Sequence, residues 1–324
     1  MPKKEVSLVV CDIDNTISDT FNLWGEALDK AVDDLARLHK TDRKTMEETL
    51  LKAVPDNRRG SSGPLLGINI RADIAQTKAL QGNTPQERAF FEKEHEKIIH
   101  AWQKKRDEAV LFDGVLPVIR KIKASGAKFV LYTDARESGC LPRLAKLGIP
   151  ADLIDALYVQ PDKEGMETTP FAVQTSVSAF KAAMKGKIVR LPPDTPKPHA
   201  GNMAGILKDT GVCAGKTVMV GDNIRCDGGS AASAGAVFAW QKQGAEVTEA
   251  TKRCYEKFAA NPDYKIGVEA HLTQMNEKNK PAFVLENGFA DLVKYCRFVR
   301  AEKSADKNLS PAVMKRLGDA RGKV

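Results

Sequence analysis

The stretch Val6-Ser7-Leu8-Val9-Val10-Cys11-Asp12-Ile13-Asp14-Asn15-Thr16 is an apolar run that ends in two closely spaced aspartates. An apolar run of this length predicts a buried strand over about 6–11. Because the chain must turn where that strand ends, we expect the carboxylates of Asp12 and Asp14 to reach one pocket at the carboxyl edge of a sheet, where open α/β sheets bind ligands. Two carboxylates that close repel each other, so the pocket needs a shared cation or proton. A solvated turn is the alternative for this stretch alone.

Two later apolar runs, 129–132 and 217–220, also end in polar residues of the kind that phosphate and metal chemistry needs. The residues that follow these runs are Thr133 and Asp134, then Asp222 and Asp227. Between the two runs, Lys197 precedes Pro198 at the predicted start of a helix. Strands that alternate with helical patterns predict a parallel sheet with helices on both faces.

The ordered set Asp12-x-Asp14-x-Thr16, Thr133, Lys197 and Gly221-Asp222-x-x-x-x-Asp227 resembles the four motifs of the haloacid dehalogenase superfamily. The resemblance covers about 6–18 and 111–240. It implies an α/β fold with a Rossmannoid parallel sheet and a helical cap of the C1 type, inserted after the first strand. Helical spacing of apolar residues between 28 and 38, and a helix start at Thr84-Pro85-Gln86-Glu87, agree with such a cap.

The domain organisation predicted from these patterns has three parts. Residues 1–18 and 111–300 form the core domain, 19–110 form the helical cap, and 301–324 form a basic tail. The segment 160–195 is longer than the family pattern needs, and we expect it to decorate the surface, since surface insertions are readily tolerated.

The resemblance also implies a role for each motif residue. Asp12 matches the nucleophile that forms an aspartyl-phosphate, and Asp14 matches the general acid and base. Members that act as dehalogenases lack an acid at the position of Asp14, so this chain resembles a phosphatase or a phosphotransferase. Thr133 is expected to hydrogen-bond a phosphoryl oxygen. Lys197 is expected to oppose the negative charge of the phosphoryl group and to keep Asp12 ionised.

A magnesium ion is the cofactor that the resemblance implies. Its ligands are the carboxylates of Asp12 and Asp222 and the backbone carbonyl of Asp14, which are oxygen donors of the kind that Mg²⁺ prefers. Asp227 is expected to support the site by orienting Lys197 or a metal-bound water, and Thr16 by fixing the loop after the nucleophile.

The substrate class is less defined by the sequence. A small phosphorylated metabolite or nucleotide is the expected substrate, and Arg58, Arg59 and Arg71 are candidates for binding a second anionic group. The alternative for these three arginines is an ordinary solvated charge on a loop or helix.

Composition narrows the class of protein. The chain has 324 residues, 28% charged, and contains no apolar stretch near the roughly 20 residues that cross a membrane. Its six scattered cysteines predict reduced thiols, and we expect a cytoplasmic enzyme with no membrane partner.

The net charge of +8 leaves a polynucleotide 3′- or 5′-phosphatase as an alternative function. A catalytically idle domain with a binding role is the alternative from another class.

Overall fold

A seven-stranded parallel sheet forms the centre of the computed structural model, which describes residues 2–53, 70–162, 175–258 and 273–302. The strands are β1 (Lys4–Val6), β2 (Leu8–Cys11), β3 (Lys128–Arg136), β4 (Ala156–Gln160), β5 (Ile188–Arg190), β6 (Thr217–Gly221), β7 (Val237–Gln241), β8 (Phe283–Leu285) and β9 (Cys296–Phe298). The order in the main sheet is β5-β4-β3-β2-β6-β7-β8, and β1 pairs in parallel with β9 in a separate two-stranded sheet.

The order of the strands reverses next to β2. From β2 the chain builds outward through β3, β4 and β5, and then returns to place β6 on the other side of β2. Cys11 is in register with Val220, and the backbone N–H of Asp12 donates to the carbonyl oxygen of Val220 at 2.9 Å. The carboxyl ends of β2 and β6 therefore meet at the switch point where open α/β sheets form their crevice.

Helices cover both faces of this sheet, as predicted. The helices are α1 (Thr20–Leu38), α2 (Arg43–Ala53), α3 (Ile70–Gln76), α4 (Pro85–Arg106), α5 (Val115–Ala124), α6 (Glu137–Leu147), α7 (Thr175–Ala183), α8 (Ala200–Thr210), α9 (Gly229–Ala234), α10 (Glu249–Phe258) and α11 (Leu292–Tyr295). Successive side chains of a strand point to opposite faces. Val9 and Phe129 accordingly lie in the apolar cluster with α5 and α6, whereas Val10 and Val130 lie in the cluster with α8 and α9.

A third apolar cluster belongs to a helical module, which consists of α1 to α4 together with α10. The buried side of α1 presents Leu28, Val32 and Leu35 to this cluster. Tyr255 and Phe258 of α10 lie in the same cluster, although the sequence pattern assigned that segment to the core domain. The helical module is therefore built from two parts of the chain that are far apart in sequence.

Several boundaries differ from the sequence prediction. The helix start predicted at Thr84 is confirmed as a capping box, whereas the strand predicted to end at Tyr132 continues to Arg136. The helix predicted to start around Lys197 and Pro198 is confirmed, and it begins at Ala200. Three strands of only three residues each, β1, β5 and β9, contain no apolar run from which a strand could be predicted.

The segment 160–195 does more than decorate the surface. Its strand β5 pairs with β4 and forms one edge of the main sheet, and α7 precedes it. Residues 163–174 lie outside the described residues. None of the described helices combines the length and the apolar character that crossing a bilayer requires.

A close approach of α1 to α10 provides a test of the helical module. A Cβ at Gly25 would lie 2.3 Å from Oγ1 and 2.7 Å from the backbone Cα of Thr251. We expect Gly25→Ala to lower the free energy of unfolding by about 1–3 kcal/mol, since overpacking outweighs the gain in helix propensity.

The matched control for this prediction is Gly205 in α8, where an added Cβ would meet nothing within 4 Å. Gly205→Ala should raise the free energy of unfolding by about 0.5–1 kcal/mol through helix propensity. Both values can be measured by urea denaturation. Equal effects of the two substitutions would contradict the close packing of α10 against α1.

Candidate active site

Asp12 is a buried carboxylate held by two hydrogen bonds at the end of β2. Its Oδ1 accepts from Nζ of Lys197 at 2.5 Å, and its Oδ2 lies 3.2 Å from the Thr16 hydroxyl. The side chain is only 8% exposed. Asp12 is therefore fixed in one orientation at the carboxyl edge of the sheet.

Lys197 is a buried cation that joins two carboxylates. Its Nζ donates to Asp12 and, at 2.7 Å, to Oδ1 of Asp227, while its backbone N–H donates to the carboxylate of Asp134 at 3.0 Å. Burial acts against the charged form of the lysine, but Asp12, Asp227 and Asp134 outweigh it and hold its pKa well above the usual range. Lys197 is therefore a permanent positive charge beside Asp12.

Thr16 connects the carboxyl ends of β2 and β6. Its Oγ1 accepts a hydrogen bond from the backbone N–H of Asp222 at 3.1 Å. The same oxygen lies 3.3 Å from Oδ1 of Asp222, so its single proton is shared between Asp12 and Asp222. The indole N–H of Trp240 donates to the carbonyl oxygen of Asp222 at 2.8 Å and fixes this residue further.

The loop after Asp12 is shaped by Asn15. Asn15 has a left-handed backbone with φ of 61°, and its Oδ1 accepts from the N–H groups of Thr20 and Phe21 at the start of α1. A Cβ at Gly244 would lie 1.7 Å from the carbonyl oxygen of Asn15. Only glycine allows the two segments to approach this closely.

Three buried carboxylates, those of Asp12, Asp222 and Asp227, form a group that fits a divalent cation. One oxygen from each lies within 4.8 Å of the others, and Oδ2 of Asp222 has no hydrogen-bond partner among the described residues. Burial raises the pKa of Asp12 to about 7 and that of Asp222 well above its usual range. One lysine opposes three carboxylates here, so a divalent cation would complete the charge balance.

Asp14 lies outside this group and faces a different partner. Its Oδ2 pairs with Arg143 at 3.2 Å, and its Oδ1 is buried with no hydrogen-bond partner among the described residues. The side chains of both residues are 17% exposed. One oxygen of Asp14 is thus available to a ligand.

Thr133 is buried in β3 beside the lysine. Its hydroxyl accepts from the N–H of Ala135 at 3.0 Å, and the strand is irregular between Tyr132 and Arg136. The carbonyl oxygen of Tyr132 lies 3.4 Å from Nζ of Lys197. The end of β3 therefore borders the same crevice as the ends of β2 and β6.

Of the three candidate anion-binding arginines, Arg71 makes no contact with this crevice among the described residues. Arg71 lies on α3 with a half-exposed side chain, and it forms two hydrogen bonds with Glu96 at 2.7 and 3.1 Å. Arg58 and Arg59 lie outside the described residues.

A comparison with protein families decides the classification. A model of the haloacid dehalogenase-like hydrolases matches residues 6–235, which include all four motifs. The chain belongs to this family. It is therefore a hydrolase with a Rossmannoid α/β fold. No curated protein matches the chain.

Solved structures of this hydrolase family resemble the chain at low identity. A predicted phosphoglycolate phosphatase from Haemophilus somnus 129pt is 16% identical to this chain. The alignment covers 89% of this chain and 97% of the phosphatase chain, with a TM-score of 0.44. A HAD phosphatase from Thermococcus onnurineus is 18% identical, with coverages of 73% and 86% and a TM-score of 0.40. A 2-haloacid dehalogenase from Pseudomonas syringae pv. Tomato DC3000 is 17% identical, with coverages of 75% and 90% and a TM-score of 0.40.

The roles of two site residues of this hydrolase, Asp134 and Arg143, were not predicted from the sequence. Asp134 was visible beside Thr133, but its bond to the backbone of Lys197 joins positions 63 residues apart. Arg143 follows Leu141 and Pro142 within α6, where the sequence pattern indicates only packing. Neither partner could be found from local spacing.

Proposed function

We propose that this hydrolase is a Mg²⁺-dependent phosphomonoesterase that acts on a small phosphorylated metabolite or nucleotide through an aspartyl-phosphate. The observation that carries the proposal is that two acids with different environments lie two residues apart. Asp12 is rigidly held by hydrogen bonds, whereas Oδ1 of Asp14 has no hydrogen-bond partner among the described residues. A nucleophile and a proton donor two residues apart are what a two-step ester hydrolysis needs.

Asp12 is the nucleophile of the first step in this proposal. One of its oxygens forms a bond to phosphorus as the bond from phosphorus to the alcohol oxygen breaks. In the second step, water attacks the aspartyl-phosphate and releases inorganic phosphate. Burial raises the pKa of Asp12, and the ammonium of Lys197, 2.5 Å from Oδ1, acts against this and favours the ionised carboxylate. The ammonium also opposes the charge of the phosphoryl oxygens.

Asp14 carries the proton between the two steps. It protonates the oxygen of the leaving alcohol and then accepts a proton from the attacking water. The pairing of its Oδ2 with Arg143 orients the carboxyl group while Oδ1 stays available. The Thr133 hydroxyl donates to a phosphoryl oxygen, since its present contact uses it only as an acceptor.

Asp12 and Asp222 would hold the magnesium ion, with the backbone carbonyl of Asp14 as a further ligand. When bound, the ion neutralises part of the phosphate charge and so reduces its repulsion of the attacking carboxylate. Asp227 serves mainly to orient Lys197, because its Oδ1 lies 2.7 Å from Nζ and its Oδ2 accepts from the N–H of Asn223.

We assign the helical module the role of a cap over this crevice. Its α1 begins directly after the loop that carries Asp14 and Asn15. Trp24 of α1 lies over the guanidinium of Arg143, the partner of Asp14. These contacts support a position of the module on the side of the site where the alcohol would leave.

The proposed function is tested by phosphate release from a panel of phosphomonoesters with Mg²⁺ and with EDTA. The panel includes sugar phosphates, nucleotides, phosphorylated hydroxy acids and oligonucleotides with 3′- or 5′-phosphates. Turnover that requires Mg²⁺ is expected with a small ester. Preference for the oligonucleotides would favour the polynucleotide phosphatase, and no turnover by folded protein would contradict the proposal.

Magnesium binding itself should be visible in thermal unfolding. We expect saturating Mg²⁺ to raise the Tm of the wild type, since a ligand at 100 times its Kd stabilises the folded state by about 2.7 kcal/mol. Asp222→Asn should remove most of this shift because the substitution removes a carboxylate from the three-carboxylate group. The control Asp34→Asn alters a carboxylate that pairs with Lys30 and Arg37 on α1, and it should keep the full shift. An unchanged shift in Asp222→Asn would place the metal elsewhere.

A further inference from the structure

Two guanidinium groups lie against one tryptophan next to the candidate active site. The guanidinium carbon of Arg106 is 4.7 Å from the ring centroid of Trp24, and that of Arg143 is 5.0 Å from the same centroid. Arg106 also lies 4.5 Å from the centroid of Trp102. The rings hold both cations in place through cation–π contacts.

The positive charge of this pair is only partly balanced. Asp14 is paired with Arg143, but no ion pair of Arg106 exists among the described residues. The nearby carboxylates have lysine partners, Glu26 with Lys105 at 3.7 Å and Asp107 with Lys146 at 4.0 Å. Burial and, secondarily, Arg143 lower the pKa of Arg106 to about 10, and the opposing effect of Asp107 is smaller. Nε of Arg143 is also buried without a partner in the described chain.

The contacts connect the pair to the chemistry of the site. From Oδ2 of Asp14 they run to Arg143 on α6, then to Trp24 on α1, and finally to Arg106 at the end of α4. The pair therefore lies where the helical module meets the core, on the side of Asp14. In the proposed reaction this side faces the leaving alcohol.

We infer that Arg106 and Arg143 form a binding subsite for a second anionic group, carried by the leaving alcohol of the substrate. This inference rests on the proposed function and adds its substrate class, phosphomonoesters whose alcohol bears a carboxylate or a second phosphate. Guanidinium groups suit both anions because their paired N–H donors match two oxygens at once.

Binding of such an anion would also affect Asp14. Asp14 takes a hydrogen bond from one terminal nitrogen of Arg143, at 3.2 Å, so the Nε–H and the other terminal nitrogen remain for the anion. Bound there, the anion fixes the guanidinium group, which keeps the carboxyl group of Asp14 oriented with Oδ1 toward the leaving oxygen. The same arginine thereby couples recognition of the alcohol to proton transfer.

The experiment compares each ester that carries a second anionic group with a partner that lacks it. Three pairs of carboxylate and carboxamide, with one, two or three methylene groups between the phosphate ester oxygen and the carbonyl, are assayed for kcat/KM. The monophosphate and bisphosphate of propanediol form a fourth pair, which separates a phosphate from a carboxylate as the preferred anion. We expect at least one charged member to exceed its neutral partner by about 10- to 100-fold, the range of hydrogen bonds to charged groups.

Variants assign this preference to residues. Arg106→Gln should reduce the charged-to-neutral ratio by about 10-fold, and Arg106→Lys should restore part of it. The matched control is Arg37→Gln, on α1 like Trp24, where the guanidinium pairs with Asp34 on the surface and is 73% exposed. The ratio of this control should equal that of the wild type. Since ratios are compared within one protein, a general loss of activity in a variant does not affect them.

A binding measurement separates failure of the subsite from failure of the proposed function. The Kd of each charged and neutral ester is measured by calorimetry with Asp12→Asn, alone and combined with Arg106→Gln. Tighter binding of a charged ester that is lost on adding Arg106→Gln supports the subsite even if the wild type hydrolyses nothing. Ratios near one for all four pairs in both assays would overturn the inference, and turnover of the esters would then leave the proposed function intact.

Discussion

Asp12→Asn is expected to lower kcat for every phosphomonoester by at least about 10⁴-fold, as is found when a covalent nucleophile is removed. The amide oxygen is a poor nucleophile, yet the side chain keeps its size and one acceptor for Lys197 or Thr16. KM should change far less, because binding of the ester depends on the surrounding groups. Initial rates of phosphate release with saturating Mg²⁺ give both constants.

The control for this loss is Asp34→Asn, which changes a carboxylate of the same type on the outside of α1. It should retain wild-type kcat. In addition, protein denatured during turnover should carry a phosphate that hydroxylamine releases from the wild type and not from Asp12→Asn. A residual kcat above a few per cent in Asp12→Asn would show that another group attacks the phosphorus.

Lys197→Met should be the most destabilising single change at the site. The side chain of Lys197 is 4% exposed and is the cation in contact with both Asp12 and Asp227. Removing one partner of a buried ion pair leaves an uncompensated charge and costs about 3–5 kcal/mol. Urea denaturation at pH 8 without metal measures this loss as a lower midpoint.

The pH dependence of this loss follows from Asp12. Burial already raises the pKa of Asp12, and without the lowering effect of the ammonium it rises further in the folded state, so the variant is more stable where Asp12 is protonated and loses stability as pH rises. The difference between wild type and Lys197→Met should therefore be smaller at pH 5 than at pH 8. The control Lys30→Met removes a 68% exposed lysine and should change the midpoint little. A loss that is equal at both pH values would contradict the role of the lysine as a counter-charge.

The elements that could be predicted from the sequence are those with a strong local pattern. The apolar runs before Asp12, Thr133 and Asp222 each form a central strand, because a strand buried on both faces needs a continuous run of this kind. Parallel pairing then brings the ends of these strands together. The crevice was therefore predictable, and so was its content of carboxylates.

The remaining features depend on contacts between distant parts of the chain. The position of α10 in the helical module has no local signal, since an amphipathic helix reveals an apolar face but not the surface that covers it. The candidate active site shows the same limit. Spacing predicts that Asp222 and Asp227 are near each other, whereas the pairing of Asp14 with Arg143 results from how α6 packs beside the loop after β2.

The attachment of α10 to α1 has a consequence for the order of events during synthesis. Cys254 donates to the carbonyl oxygen of Gly25 across 229 residues of sequence, and Arg253 pairs with Asp29 across 224. A domain that begins to fold at its N-terminus while the chain is still growing must wait for such contacts. When α1 to α4 leave the ribosome, the face of α1 that α10 will cover is still exposed. The helical module can therefore be completed only after the strands from β3 to β7 have been made.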